Sequence, residues 1–440
     1  MTRRDFLAAS GSAVLAAQTP ARPNFIVIYT DDQGYGDAGC YGSAEIKTPH
    51  LDRLAANGVR FTDWYSNCPV CSPSRASLMT GKYPQRTGIV RVLTSEATFS
   101  TPGLREGEVS MAGELRKLGY RTAHFGKWHL GSAPHSRPLA QGFDEFFGFY
   151  SGWTDYYSHR YYRQGGPPAQ IFHDLWHNER EVFHDGEYQS ELFSRRAAEW
   201  IGAQRQPFFL TLAFGAPHYP MMAPQQYLDR FPTSMDRDRR MHAAMIAAMD
   251  DGIGSVVEAL RRKGQLENTV IFFQSDNGAT LELRADHRGR PYEGGSNRPL
   301  RGHKAQLFDG GIRVPAVLSW PARVPKGVVN SQPGATMNIL PTFLEWAGGR
   351  APASIDGRSI SGMVLEGKPS PNETIFWEYE KQQAVRQGDW KLVVNPPGLS
   401  EKVWLTNIRA DIGETRNLAA SEPQTLKRLQ DALAAWKASL

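Results

Sequence analysis

An α/β fold built on a mostly parallel sheet is what this chain predicts, on three observations. Short, nearly continuous apolar runs recur along it, as in strands buried on both faces. Helical patterns lie between them, the alternation that builds parallel sheets. Four of the runs end on acids, amides, histidines or a lysine, and open sheets present their ligand-binding residues at the carboxyl ends of the strands.

The elements follow in order. Asn24 to Thr30 reads NFIVIYT and is followed by Asp31-Asp32. Arg121 to Phe125 leads into Gly126-Lys127-Trp128-His129. Phe208 to Phe214 leads to Pro217-His218, and Thr269 to Gln274 to Ser275-Asp276-Asn277-Gly278. Ala316 to Trp320 is a fifth strand candidate. The clearest helix precedes the fourth strand. Met241, Ala244, Met245, Ala248, Met249, Ile253, Val256, Val257 and Leu260 share one face at three- and four-residue spacing. Asp250-Asp251 inside it reads as a solvated or capping pair, and Glu422 to Leu440 has the pattern of a last helix.

Composition narrows the function classes. Apolar residues make up 40% of the 440 and charged residues 22%, ordinary for a globular chain with a large core. The net charge of +5 is scattered, without the dense basic run of a nucleic-acid binder. No apolar run approaches the ~20 residues that span a bilayer. Three cysteines, Cys40, Cys68 and Cys71, are too few for a disulfide framework. Cys40 and Cys68 read as buried thiols, with pairing after export as the alternative.

The first residues read as an address. Arg3-Arg4-Asp5-Phe6-Leu7, then a weakly apolar run to Ala17, resembles a twin-arginine export signal. Residues 1–22 are therefore set apart from the fold. The expected location is periplasmic or secreted, reached through the twin-arginine machinery and without a stable membrane anchor.

Convergence at the sheet edge gives the chemistry. Asp31, Asp32, Asp276 and Asn277 offer only oxygen ligands, which favour Ca²⁺ or Mg²⁺ over zinc. Three carboxylates brought together repel one another unless a cation lies between them. Cys71-Ser72-Pro73-Ser74-Arg75 forms C-x-P-x-R, with Met79-Thr80-Gly81-Lys82-Tyr83-Pro84 just downstream. If a helix starts at Cys71, Arg75 returns to the same face four residues on.

This run resembles the maturation signature of the formylglycine-dependent sulfatases. The resemblance extends to Gly126-Lys127-Trp128-His129-Leu130-Gly131, Pro217-His218 and Leu300-Arg301-Gly302-His303-Lys304. It continues through Gly310-Gly311-Ile312-Arg313-Val314-Pro315 and Arg386-Gln387-Gly388-Asp389-Trp390-Lys391-Leu392, spanning about Asn24 to Leu418. It implies an alkaline-phosphatase-like α/β/α sandwich over residues 23–362. A small C-terminal domain with an antiparallel sheet and a helix is implied at 363–440. It also implies that a maturation enzyme oxidises Cys71 to formylglycine, and that one divalent cation sits on Asp31, Asp32, Asp276 and Asn277. That cation is usually Ca²⁺, with Mg²⁺ as the alternative.

The implied reaction is hydrolysis of a sulfate monoester. The cation, Lys127 and Lys304 would neutralise the sulfate oxygens. The hydrated aldehyde at position 71 would attack sulfur, and its second hydroxyl would expel sulfate, an exit that an ordinary serine lacks. By the same resemblance Arg75 holds the nucleophile, His129 is the base of sulfate elimination, and His218 is the acid or stabiliser at the leaving oxygen. His124, His242 and His303 read as structural. Phe149 to Tyr188 is rich in aromatics and histidines, either stacking sugar rings or packing a loop. Within it Asp155-Tyr156-Tyr157-Ser158-His159 looks like a segment of sulfatases acting on sulfated N-acetylgalactosamine, so a sulfated glycan is the expected substrate. Two rivals remain: a phosphomonoester or phosphonate hydrolase of the same superfamily, and a silent glycan-binding homologue in which Cys71 stays a thiol.

Overall fold

A computed structural model describes residues 22–163, 170–282 and 291–440. The export segment therefore lies almost wholly outside the described residues. Among these a ten-stranded sheet runs in the order 328–330, 59–61, 316–319, 269–275, 24–30, 208–213, 121–127, 145–149, 176–177, 180–181. Its five central strands are parallel. Ala316–Ser319 joins antiparallel to Thr269–Ser275.

The strand Asn24–Thr30 explains the pattern in the sequence. All seven residues are buried because both faces are covered. Its side chains alternate between two cores, Ile26 and Ile28 on one face, Phe25, Val27 and Tyr29 on the other. The helices Gln189–Ala203 and Arg237–Arg262 cover the first face. Cys71–Thr80, Met111–Lys117 and Ile339–Trp346 cover the second, completing an α/β/α sandwich.

One expectation changes in detail. Asp250 is neither solvated nor a cap of its own helix. It accepts the backbone N–H groups of His50 (3.0 Å) and Leu51 (2.9 Å), capping the neighbouring helix Pro49–Ala56. Burial pushes its carboxyl up to about 7. Asp251 does lie outside and pairs with Arg230.

The C-terminal strands Thr374–Tyr379, Gln382–Gln387, Trp390–Val394 and Val403–Asn407 form an antiparallel sheet. The helix Pro423–Ala438 packs Leu429, Leu433 and Trp436 into the core shared with this sheet. Buried ions join the sheet to the sandwich. Arg386 meets Asp63 at 2.8 Å, and Lys391 meets Asp309 at 2.7 Å and Glu414 at 3.1 Å. Arg313 bridges Asp63 (3.0 Å) and Asp309 (3.3 Å). The three bases, Arg313, Arg386 and Lys391, fall in the 310–315 and 386–392 runs, which thus help hold the two sheets together. Removing one partner strands a buried charge. Lys391→Ala is expected to cost about 3–5 kcal/mol of stability, read from urea unfolding. An effect below about 1 kcal/mol would refute that role.

Candidate active site

The carboxyl edge of the parallel strands gathers the predicted residues. Asp31 and Asp32 follow one strand and Asp276 and Asn277 follow its neighbour, all four fully buried. The Asp32 N–H donates to Asp276 Oδ1 at 3.1 Å, which ties the two strand ends together. Asp32 adopts a left-handed φ of 63°, and His129 one of 55°; non-glycine residues take that region rarely.

Cys71 is the first residue of the helix Cys71–Thr80. Pro73 then falls in the first turn, where helical N–H groups have no partner, so the missing donor costs nothing. Gly81 ends the helix in a left-handed conformation at φ 67°. The Cys71 Sγ lies 3.3 Å from Asp31 Oδ1. Arg75, one turn on as expected, donates to Asp276 Oδ2 at 3.1 Å and to the Lys127 carbonyl at 3.0 Å.

Two lysines balance the acids. Lys127 Nζ donates to Asp31 Oδ2 at 2.5 Å and Lys304 Nζ to Asp32 Oδ2 at 2.9 Å. Burial opposes ionisation of Asp31, but Lys127, then His218 and Arg75, hold its carboxyl well below the usual range. Asp276 goes the other way: burial and then the Asp31 charge push it up to about 8. Burial, followed by the charge of Asp31, raises the Cys71 thiol, so the unmodified sulfur is held protonated and is a poor nucleophile.

Asp31, Asp32, Cys71 and His218 each place one ligand atom within 4.8 Å of the others. Asn277 adds the sharper observation. Its Nδ2 donates to Asp32 Oδ1 at 2.7 Å, while its Oδ1 is buried without a hydrogen-bond partner. A buried carbonyl oxygen without a donor, beside three carboxylates, fits a hard cation. His218 adds one nitrogen to this group, its Nε2 3.8 Å from Asp32 Oδ2.

The histidines are set by their other contacts. His218 Nδ1 donates to the Tyr219 carbonyl at 2.7 Å, and His129 Nε2 to the Leu93 carbonyl at 3.1 Å. That leaves His129 Nδ1 buried, unpartnered and holding a lone pair. Burial, then Lys127 and Arg75, lowers His129 well below its ordinary range, so it is neutral. Burial also lowers His218, with Asp31 opposing. A β-carbon added to Gly152 would lie 2.8 Å from His129 Cε1 and 2.9 Å from Nε2. Gly152→Ala is therefore expected to displace the imidazole and cut kcat about 100-fold with little change in Tm. A variant within twofold of the wild-type kcat would show that His129 does not need this seat.

A cleft of about 490 Å³ opens on this edge. Cys71, His129, His218 and Lys304 line it, whereas Lys127 lies beneath, fully buried against Asp31. The expected structural roles hold for His124, bonded to the Lys127 carbonyl, and His242, bonded to Asp37. His303 Nδ1 is likewise bonded to a backbone carbonyl, that of Lys304 at 2.8 Å, and the residue also lines the cleft. The aromatic stretch divides. Tyr156 is buried and its hydroxyl donates to the His218 carbonyl at 2.9 Å, so the 155–159 segment props the site from behind. Trp153 and Tyr161 face the cleft. Tyr219, Tyr379, Thr280 and Glu282 were not singled out from sequence and also line it. Aromatic density marked Trp153, but Tyr379 carries no local signal. All three cysteines are free thiols, Cys68 buried and Cys40 partly so.

A cysteine at a helix start, set against paired carboxylates and lysines in an open cleft, belongs to a hydrolase of anionic esters. Comparison makes the class specific. Residues 23–349 match the sulfatase family, and 303–436 match the C-terminal region of N-sulphoglucosamine sulphohydrolase. Arylsulfatase J of Mus musculus is 32% identical over 463 residues, covering 93% of this chain and 75% of that protein. N-acetylgalactosamine-6-sulfatase of Mus musculus is 34% identical over 403 residues, covering 88% and 74%. The crystal structure of Ps i-CgsB with k-i-k-neocarrahexaose matches at a TM-score of 0.86 and 32% identity, over 94% of this chain and 92% of that one. The chain belongs to the sulfatase family and is a sulfuric ester hydrolase.

Proposed function

We propose that the protein removes sulfate from sulfated saccharides, using a formylglycine made from Cys71 and one divalent cation, Ca²⁺ with Mg²⁺ as the alternative. The observation that carries the reading is Cys71 at a helix start, 3.3 Å from Asp31 and facing the cleft. Asp31, Asp32, Asp276 and Asn277 would hold the cation. The bound cation would supply positive charge for the sulfate oxygens and for a deprotonated nucleophile, and the hydrated aldehyde would supply that nucleophile.

The chain's own residues divide the remaining work. Lys304 reaches the cleft and offers its ammonium to sulfate; Lys127 keeps Asp31 ionised from below. Arg75 fixes Asp276 and the turn after Lys127. His129, neutral with a free Nδ1, accepts a proton. His218 serves the leaving oxygen from the carboxylate side, where Asp31 and Asp32 favour its proton against burial. The saccharide reading rests on a relative that by name is an N-acetylgalactosamine-6-sulfatase and on a neighbour bound to a neocarrahexaose. Periplasmic or secreted location after twin-arginine export rests on Arg3-Arg4. No described helix is long and apolar enough to cross a membrane.

Protein from a maturation-competent host would be given N-acetylgalactosamine 6-sulfate, k-i-k-neocarrahexaose and 4-nitrophenyl sulfate. Sulfate release is expected, together with a Cys71 peptide lighter by about 18 Da from exchange of thiol for aldehyde. Modified protein that releases sulfate from none of them would overturn the reading.

A further inference from the structure

The cleft wall away from the acids has its own composition. Trp153 lies on it, braced by Tyr162 at 4.6 Å, Tyr161 at 4.9 Å and Tyr219 at 5.6 Å between ring centroids. Three rings around one indole fix its plane, so little freedom is lost when a ligand lies on it. Tyr379 ends the strand Thr374–Tyr379 of the C-terminal sheet and reaches the same cleft. The hairpin bearing it is clamped to the segment after Lys304. Gln382 accepts the Leu307 N–H at 3.0 Å and donates to the Ala305 carbonyl at 2.8 Å.

Neither the Trp153 indole N–H nor the Tyr379 hydroxyl hydrogen-bonds to any described residue, although both line the cleft. Partly buried indoles and phenols normally find partners. Burial, then Glu380, pushes the phenol up to about 12, so it stays a donor at neutral pH; the charge sites of Lys304 and Cys71 both bear on it. A flat apolar face with two donors that no described residue uses suits a pyranose, which offers C–H faces and ring hydroxyls.

We infer that Trp153 and Tyr379 form the sugar-holding subsite, Trp153 as the stacking platform and Tyr379 as a hydrogen-bond donor to the saccharide supplied by the C-terminal sheet. This rests on the sulfatase reading above and adds which residues separate a saccharide sulfate from a small aryl sulfate. The aryl ester has no sugar hydroxyl for Tyr379 to reach.

The test uses full-length matured protein with N-acetylgalactosamine 6-sulfate, galactose 6-sulfate and k-i-k-neocarrahexaose, beside 4-nitrophenyl sulfate. Tyr379→Phe is expected to lower kcat/KM about tenfold on the saccharides that wild type cleaves, and to leave the aryl ester within about twofold. Trp153→Ala is expected to raise the saccharide KM about tenfold. Equal losses on both substrate types, or none with Tyr379→Phe, would overturn the subsite. So would wild-type cleavage of the aryl ester and of no saccharide. Wild type that cleaves nothing, aryl ester included, would instead sink the sulfatase reading on which the subsite rests.

Discussion

Cys71→Ala is expected to abolish sulfate release while leaving the fold standing. The thiol is buried at a helix start and its one side-chain contact of note is Asp31. Losing a single sulfur atom there costs about 1 kcal/mol of packing, little against the ordinary stability of a domain. Removal of a nucleophile costs on the order of 10³–10⁶ in turnover. Cys71→Ser sharpens the test. A serine has one hydroxyl, so it can take up sulfate from the ester but has no second hydroxyl to expel it. The variant is expected to release about one equivalent of alcohol and then stop, carrying a sulfate ester at residue 71 visible in the intact mass. Steady turnover by either variant at more than about a tenth of the wild-type rate would refute a nucleophile at this position.

The sheet and the acids at its edge were legible because their signals are local. A strand covered on both faces must be apolar throughout, so Asn24–Thr30 and Phe208–Ala213 stand out as runs. Residues that follow such runs fall at one edge by the geometry of the sheet, which is why Asp31 and Asp276 could be placed together. The strand Glu145–Phe149 is not among the sequence candidates: it is short and carries a glycine, Gly148, next to its end. The Leu93 carbonyl that orients His129 is a main-chain group, and no residue type announces it. Tyr379 reaches the cleft only through the packing of a second sheet, set by ion pairs such as Arg386–Asp63 between residues far apart in the chain. His303 lines the cleft as the neighbour of Lys304, a placement that no local pattern announces. The gathering of residues at strand ends was therefore readable, and a cleft wall built from the meeting of distant segments was not.

Removal of the cation is expected to inactivate the protein without unfolding it. Asp31, Asp32 and Asp276 bring three buried carboxylates together, and Lys127, Lys304 and Arg75 face them with three cations. With Asp276 protonated, the two remaining carboxylates are each paired with a lysine, so the stripped protein keeps no acid uncompensated. Stripping still removes a ligand that binds the native state, and about 2.7 kcal/mol of stability is lost relative to protein held at 100 times the dissociation constant. A cooperative unfolding transition should persist after chelation, shifted down by a few degrees, with sulfate release gone and restored by Ca²⁺ or Mg²⁺. A pH dependence follows from Asp276. In the stripped protein, burial and then Asp31 raise its carboxyl to about 8, so it holds a proton at neutral pH. A cation needs the carboxylate, so binding must displace that proton. Affinity should fall as pH drops below 8, approaching tenfold per unit, and calorimetry at pH 7 should record proton release into the buffer. Cation affinity unchanged between pH 6 and pH 8 would show that no proton on Asp276 competes with the cation, and full activity in the stripped protein would remove the cation from the reaction.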